Sequence, residues 1–408
     1  MAKIAILGFG VVGSGVAEVI DMNGSSIAQR SGVELGLKYI LDLRDFPDSP
    51  YADKLVKDFS IIEQDPEVDV VVETIGGATA ALEFTRRALK AGKSVVSSNK
   101  ELVARHGFEL LTLARENNVS YRFEASVGGG IPILHPLSQC LTANQISEVR
   151  GILNGTTNYI LTHMIGTGIS FEEALKEAQE RGYAEHDPTA DVEGIDACRK
   201  ICILAAIAFG RHVYPDQVKA EGITKVTLAD VSYADAANMR VKLLGRAIRQ
   251  ESGQVMAYVA PHLVRRSNPL SDVDDVFNAI TVRGNAIGDV MFYGRGAGKL
   301  PTASAVVADV IDVVHHQRTR RFLSWEEGGA DYVVGTETLR SQWFLRLKGT
   351  TRDLEGLGPV TILGRPGAPK DEIGVITEAM TQGELEKRLN GAVPLSAMRV
   401  LDESADLA

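Results

Sequence analysis

Cysteine is scarce in this chain. There are three in 408 residues, Cys140, Cys198 and Cys202, an odd count with none of the paired spacings of zinc sites or disulfide frameworks. Cys198 and Cys202 fall on the stripe Ile195, Cys198, Cys202, Ala205, Phe209, whose steps of three and four make one helix face, so both read as small core residues. Clustered basic charge is also lacking. With 43 Lys and Arg against 53 Asp and Glu the formal net charge is −10, which excludes nucleic acid and anionic membrane as main partners, because both demand concentrated positive charge. No segment approaches the roughly 18 uninterrupted apolar residues of a bilayer span. The opening "MAKIAILGFG" enters a strand-like run with neither a basic leader nor a small-residue cleavage site, the pattern of a cytoplasmic protein.

What is present is ordinary globular material, 45% hydrophobic and 24% charged, long enough for two or three domains. "KIAILGFGVVGSGVAEVI" reads as strand, glycine turn and helix. Gly8, Gly10 and Gly13 carry the G-x-G-x-x-G spacing: one glycine for the tight turn, one for close approach of a pyrophosphate, one for helix–strand packing. The next strand, Leu37 to Asp45, ends over the expected ribose site and offers both Asp42, which would select NAD, and Arg44, which would accept the NADP phosphate; the choice stays open. "VDVVVETIGG" (Val68 to Gly77) and "KSVVSSNKELVA" (Lys93 to Ala104) end in loops that belong in the same crevice, since ligands of open α/β sheets gather outside the carboxyl ends of the strands. Lys100 is then expected at the nicotinamide end.

Beyond residue 119 the alternation changes. Glu124 closes an apolar strand, and Gly128, Gly129 and Gly130 precede Pro132, a run able to wrap a cation with backbone carbonyls or to serve as a plain hinge. Asn154, Thr156 and Thr157 open a helix, and capping accounts for them. Ser170 and Glu173 form a capping box on an amphipathic helix that delivers Glu185 onto a loop. There "YAEHDPTADVEGIDACRK" crowds ionisable groups against the apolar run Ile201 to Phe209. Asp187 before Pro188 reads as a cap and His186 as a solvated loop side chain. Asp196 and Lys200 are i and i+4: burial would lower the lysine's pKa and the aspartate would pull it back, giving a tunable proton donor, with a purely structural ion pair as the alternative. Glu185 and Asp191 remain free to meet a small polar substrate.

Taken together, Gly8-Phe9-Gly10-Val11-Val12-Gly13, Ser98-Asn99-Lys100, Phe123-Glu124-Ala125, Gly151 to Ile160, and Glu185-x-Asp187-Pro-x-x-Asp191-x-x-Gly194-x-Asp196-x-x-x-Lys200 resemble homoserine dehydrogenase, in order from residue 1 to about residue 330. The resemblance implies an oxidoreductase interconverting L-aspartate 4-semialdehyde and L-homoserine with NAD or NADP, in threonine and methionine biosynthesis. It implies that Lys200 is the acid, Asp196 orients it, Lys100 stands beside cofactor and substrate, and Glu185 and Asp191 hold the substrate. The cofactor set becomes Gly8, Phe9, Gly10, Val11, Val12, Gly13, Arg44, Thr74, Lys100 and Gly298. A monovalent cation, sodium or potassium, falls to Glu124, Val127, Gly129 and Ile131. The rivals are another two-domain amino-acid dehydrogenase, of the aspartate dehydrogenase or dihydrodipicolinate-reductase type, and a non-catalytic dinucleotide or amino-acid sensor.

The expected fold is α/β. A Rossmann-type dinucleotide-binding domain (1–131 plus about 302–330) would be interrupted by an inserted α+β substrate and dimerisation domain (132–301). Thr302 to Gln317 would be a long helix returning to the first domain. "SEVRGILN", "QVMAYVAPHLV" and "NAITVRG" would form a sheet with one face left to cover, hence a homodimer or higher homo-oligomer. The tail, 341–408, would be a truncated ACT-like module: longer family members end in a ββαββα-like ACT pattern, whereas this tail is short of a first helix and keeps a strand and amphipathic helix at Ile373 to Leu389.

Overall fold

The computed structural model describes residues 1–401 apart from 318, 320 and 321, and gives only the backbone of 351–353. The parts of the expected return segment and tail at 318, 320, 321 and 402–408 lie outside the described residues. The first lobe runs β1 (Ala2–Leu7), α1 (Val11–Ser31), β2 (Leu35–Leu41), β3 (Leu55–Val56), α2 (Phe59–Gln64), β4 (Val68–Glu73), α3 (Thr79–Lys90), β5 (Ser94–Ser97), α4 (Lys100–Glu116) and β6 (Tyr121–Arg122). All six strands are parallel, in the order β3-β2-β1-β4-β5-β6. Such a sheet must be covered on both faces, and its central strands are accordingly apolar without interruption, as in Val70, Val71 and Val72, all fully buried. The order reverses between β1 and β4, which opens a crevice beyond Leu7 and Glu73.

A second lobe follows: β7 (Ile146–Ile152), α5 (Gly155–Thr167), α6 (Phe171–Glu180), α7 (Thr189–Val192), α8 (Ile195–Phe209), β8 (Lys219–Ala220), α9 (Leu228–Ala236), β9 (Met239–Arg249), β10 (Val255–Arg265), β11 (Phe277–Gly284) and β12 (Gly288–Arg295). Its sheet runs β12-β11-β7-β9-β10 with antiparallel neighbours. Helix α8 packs against it with Ile201, Cys202, Ile203, Leu204, Ala205 and Ala206 all buried. Both cysteines lie in that core, whereas Ile195, placed on the same stripe, is 40% exposed at the helix mouth.

The chain then returns through α10 (Lys299–His315). Ala303, Val306 and Val310 pack onto Val16, Ala17 and Ile20 of α1 in the first lobe's core, and Lys299 pairs with Glu18 at 2.6 Å. On its way back the chain crosses the glycine run so closely that a Cβ on Gly129 (φ +57°) would lie 2.5 Å from the Gly296 carbonyl oxygen. Past residue 321 it turns to the second lobe: Trp325 sits between Phe123 and His212, and β13 (Val333–Val334) pairs with β10.

The tail comprises β14 (Trp343–Lys348), a 3₁₀ helix (Thr351–Leu357), β15 (Val360–Leu363), β16 (Glu372–Thr377), α11 (Gln382–Leu389) and β17 (Ser396–Leu401). The first helix, expected to be missing, is reduced to that 3₁₀ helix, because Gly356, Gly358 and Pro359 prevent a longer one. Leu354 and Leu357 still pack with Trp343, Val375 and Leu385. Along the chain the tail runs strand, 3₁₀ helix, strand, strand, helix, strand rather than ββαββα, and its strands lie side by side in the order β17-β14-β16-β15. Strand β17 pairs in parallel with β10, so the tail continues the second sheet rather than standing apart.

The sheet face expected to lie open is instead buried within the single chain: Leu244, Ile248, Met256 and Tyr258 are at most 9% exposed. At the β12 edge of the sheet Ile287, Met291 and Tyr293 are among the exposed apolar side chains. Among the described residues no helix is long and apolar enough to cross a membrane.

Candidate active site

The crevice begins at the glycine turn. Gly8 turns the chain (φ +87°), and Gly13 brings α1 so close that a Cβ there would lie 2.0 Å from the Gly8 carbonyl oxygen. After Gly10 the helix starts at Val11 and Val12 with no side chain capping it, so its first N–H groups are left for an anion. Phe9 donates its N–H to Asp42 Oδ2 at 2.7 Å. Asp42 also accepts the Arg44 backbone N–H at 2.9 Å and two guanidinium N–H groups at 3.1 and 2.9 Å. The Arg44 hydrogen bonds hold its carboxyl far below the usual range against the opposing effect of burial. The acidic group is therefore saturated and buried, while the Arg44 side chain is 63% exposed and lies over the Phe46 ring. Thr74, placed with the cofactor ligands from sequence, shares its hydroxyl proton between the carbonyls of Leu7 (3.0 Å) and Gly8 (2.7 Å); it braces the glycine turn. Gly298 caps α10 with φ +130°.

Across the crevice, α8 presents Asp196 and Lys200 one turn apart at its mouth. Asp196 Oδ2 is 2.7 Å from Lys200 Nζ, and its Oδ1 is 2.8 Å from Lys100 Nζ, the first residue of α4 in the other lobe. One carboxylate thus joins a lysine from each lobe, and Arg199 with Glu101 (3.3 Å) forms a second bridge between the same helices. Lys200 Nζ also donates to the Leu153 carbonyl at 2.7 Å. Burial, only partly countered by Asp196, lowers the Lys200 pKa. For Lys100 burial is outweighed by Asp196, and its pKa rises. The two lysines part because Lys200 is 8% exposed, whereas the Lys100 side chain reaches solvent. Burial pulls Asp196 upward, but the two ammonium groups hold it well below the usual carboxylate range. Asp191 is raised by burial and by the charge of Asp196.

Asn154 does more than cap. Its Oδ1 accepts the Thr157 N–H (2.9 Å) at the start of α5, while its Nδ2 donates to Asp191 Oδ1 at 2.7 Å and to Asp196 Oδ2 at 2.9 Å. Sequence reasoning missed this second use, because the two acids lie 37 and 42 residues further along the chain. Glu185 is not brought into the cluster. It is exposed on the turn after α6, its carbonyl accepts from Gln179, and its carboxylate makes no hydrogen bond or ion pair among the described residues. His186 is exposed beside it, and Asp187 turns its carboxylate onto the N–H and hydroxyl of Thr189.

At the glycine run, the Glu124 carboxylate accepts the N–H groups of Ile133 (2.6 Å), Leu134 (2.9 Å) and His135 (2.6 Å). The carbonyls of Val127, Gly129 and Ile131 accept no hydrogen bond among the described residues. No group of three or more His, Cys, Asp or Glu able to hold a metal ion occurs among them either.

The chain matches the family model for homoserine dehydrogenase over residues 132–311 and that for the homoserine dehydrogenase NAD-binding domain over 8–124. It is 41% identical over 401 residues to the homoserine dehydrogenase of Pseudomonas aeruginosa, covering 96% of this chain and 90% of that protein. The chain belongs to the homoserine dehydrogenase family. A solved homoserine dehydrogenase from Thiobacillus denitrificans superposes with a TM-score of 0.89 at 35% identity, covering 98% of each chain. A hyperthermophilic archaeal homoserine dehydrogenase in complex with NADPH superposes at 0.65 and 29% identity over 79% of this chain and 99% of that one. The chain is accordingly an NAD(P)-dependent oxidoreductase interconverting L-aspartate 4-semialdehyde and L-homoserine. Neither the rival dehydrogenases nor the sensor reading is favoured by these likenesses.

Proposed function

We propose that Lys200 delivers the proton to the aldehyde oxygen of L-aspartate 4-semialdehyde, and removes it from the hydroxyl of L-homoserine in reverse. Bound NAD(P)H supplies the hydride. An ammonium beside the oxygen where charge develops lowers the barrier, and a pKa brought down toward neutrality makes that ammonium a better acid. The observation that supports this most is the Asp196 carboxylate reaching Lys200 in one lobe and Lys100 in the other. Asp196 holds the acid in place, and Lys100, kept charged, adds positive potential at the crevice. Asp191 meets the substrate ammonium, with Glu185 contributing when the 183–187 turn folds over the ligand.

The uncapped start of α1 and the close Gly8–Gly13 turn fit a dinucleotide pyrophosphate. Gly8, Phe9, Gly10, Val11, Val12 and Gly13 would cradle it, Thr74 would brace the turn, and Gly298 would border it. Arg44 is the group offered to a ribose 2′-phosphate, so NADP is the preferred form. The unclaimed carbonyls of Val127, Gly129 and Ile131, with Glu124, suit a sodium or potassium ion, whose ligands are oxygens of this kind. We further infer the division 1–131 plus about 302–330, 132–301 and 341–408, an ACT-like character for the tail, self-association through the β12 edge, and a cytoplasmic location. Homoserine-dependent reduction of NADP and NAD by wild type and Lys200→Ala tests the central assignment. Turnover by wild type with NADP favoured, and its loss in the variant with NADPH binding retained, is expected; a fully active variant would refute it.

A further inference from the structure

The molecule buries at the crevice a carboxylate for which catalysis provides no use and which no cation among the described residues compensates. Glu73 ends β4 at the reversal point of the first sheet and is fully buried. Among the described residues no Lys, Arg or His lies within ion-pair distance of it, and a buried acid without a cation is costly to keep. Its partners are two neutral donors from the two loops that flank the crevice. The Ile75 N–H donates to Oε1 at 2.7 Å, and the Ser97 hydroxyl donates to Oε2 at 2.5 Å. Ser97 Oγ in turn accepts the Asn99 N–H at 3.0 Å. Asn99 closes the ring: its Nδ2 donates to the carbonyls of Ile75 (3.0 Å) and Gly77 (2.6 Å), and its Oδ1 caps α4 through the Leu102 N–H (3.0 Å). Asn99 is joined directly to Lys100, the first residue of α4.

We propose that Glu73 is a positioning residue which locks the Thr74–Gly77 loop to the Ser97–Lys100 turn, so that the nicotinamide end of the crevice and the start of α4 move as one body only while the carboxylate is intact. The proposal rests on the reading that this crevice takes the dinucleotide. Burial pushes the Glu73 carboxyl up to about 7, against the Ser97, Ile75 and Asn99 groups that favour its charge. The neighbouring elements present little else that titrates. β1 offers Leu7 opposite. From β6 comes Tyr121, whose hydroxyl has no hydrogen-bond partner among the described residues. Asp309 of α10 accepts the Glu124 N–H, and Lys100 is held by Asp196. When Glu73 takes up a proton, it becomes the donor to Ser97 Oγ, and the displaced Ser97 proton turns to the Tyr121 hydroxyl oxygen. Ser97 then carries a different set of bonds, and its hold on Asn99 changes with it.

NADPH binding, followed by the nucleotide's own fluorescence, tests this across pH 6 to 8 in wild type, Glu73→Gln and Glu73→Leu, with thermal melting alongside. A site that binds only with ionised Glu73 titrating near 7 weakens about tenfold from pH 8 to pH 6. Glu73→Gln accepts from Ile75 but, like the protonated acid, can only donate to Ser97 Oγ, so it loses that tenfold slope and binds at every pH about tenfold more weakly than wild type does at pH 8. Glu73→Leu binds weakly at every pH. The cofactor's 2′-phosphate titrates equally in all three, so the difference between variants is what counts. An unchanged slope in folded Glu73→Gln overturns the proposal even if Glu73→Leu fails to fold, and so does wild-type affinity in Glu73→Leu. Absence of NADPH binding by wild type would instead overturn the dinucleotide reading itself.

Discussion

Replacing Asp196 by Asn removes the charge shared by the two lysines with almost no change in volume. Lys200 Nζ lies 2.7 Å from the carboxylate. At a charge separation of about 4 Å and an effective dielectric near 20, the lost attraction is about 4 kcal/mol, equivalent to a fall of about 3 pKa units. Lys200 starts from a value already lowered by burial, and the repulsion of Lys100, no longer neutralised, acts in the same direction. As the acid in aldehyde reduction Lys200 must be protonated, so the rate falls as pH rises through its pKa. The substitution moves that fall to lower pH by about 3 units. The assay is kcat for NADPH-dependent reduction of the semialdehyde between pH 5.5 and 9, with circular dichroism and NADPH binding to establish that the variant is folded. Breaking a buried pair also destabilises by about 3–5 kcal/mol, so measurements belong well below the melting temperature. A folded variant that binds NADPH and keeps its kcat midpoint within about half a unit of wild type would refute the reasoning.

Other outcomes follow from the same geometry. Lys200→Ala should lower kcat by about 10²–10⁴-fold, the usual weight of a general acid, with NADPH affinity unchanged by equilibrium titration. Arg44→Ala should weaken NADPH by about 10–100-fold, the equivalent of about 1.5–3 kcal/mol for a hydrogen bond to a charged group, while NADH changes little in the same titration. Asn154→Ala should lose about 1 kcal/mol of cap stability together with turnover. Asn154→Ser should restore the melting temperature but not kcat, because a hydroxyl can cap α5 but cannot bridge Asp191 and Asp196. His212, buried with Nε2 on the Ala104 carbonyl, is pushed down to about 4 by burial. The unfolded chain therefore binds a proton first as pH falls, and the stability this group supports is present above about 6.5 and lost toward 4. Urea unfolding at pH 7.5 and pH 5 should show a loss near pH 5 of about 2 kcal/mol that is smaller in His212→Gln.

The first lobe was legible because its pattern is local. A strand, glycines at fixed offsets and a helix define the crevice within about fifteen residues, and Lys100 stands where the exit of β5 put it. The pairing of Asp196 with Lys200 followed from helical spacing alone. Partners distant in sequence were not legible: the bond from Asn154 to Asp191 and Asp196, the turning of Thr74 onto the glycine turn, and the saturation of Asp42 by Phe9 and Arg44 depend on how separate elements are brought together. Glu73 closes the apolar run Val70 to Val72, and nothing in the local pattern distinguishes a buried carboxylate from one at a solvated strand end. The sheet face in the second lobe was misjudged because Val334 and Leu339 on one part of it, and Leu270 and Val273 from the β10–β11 connection on another, come back to pack against the sheet, and covering segments from elsewhere in the chain leave no signal in the strands' own periodicity.

The most direct test is a structure of the ternary complex with NADP and L-homoserine. The account predicts the substrate hydroxyl oxygen within about 2.6–3.2 Å of Lys200 Nζ, with Asp196 still bridging to Lys100. A hydroxyl held by Lys100 alone, with Lys200 Nζ out of hydrogen-bond reach, would contradict it.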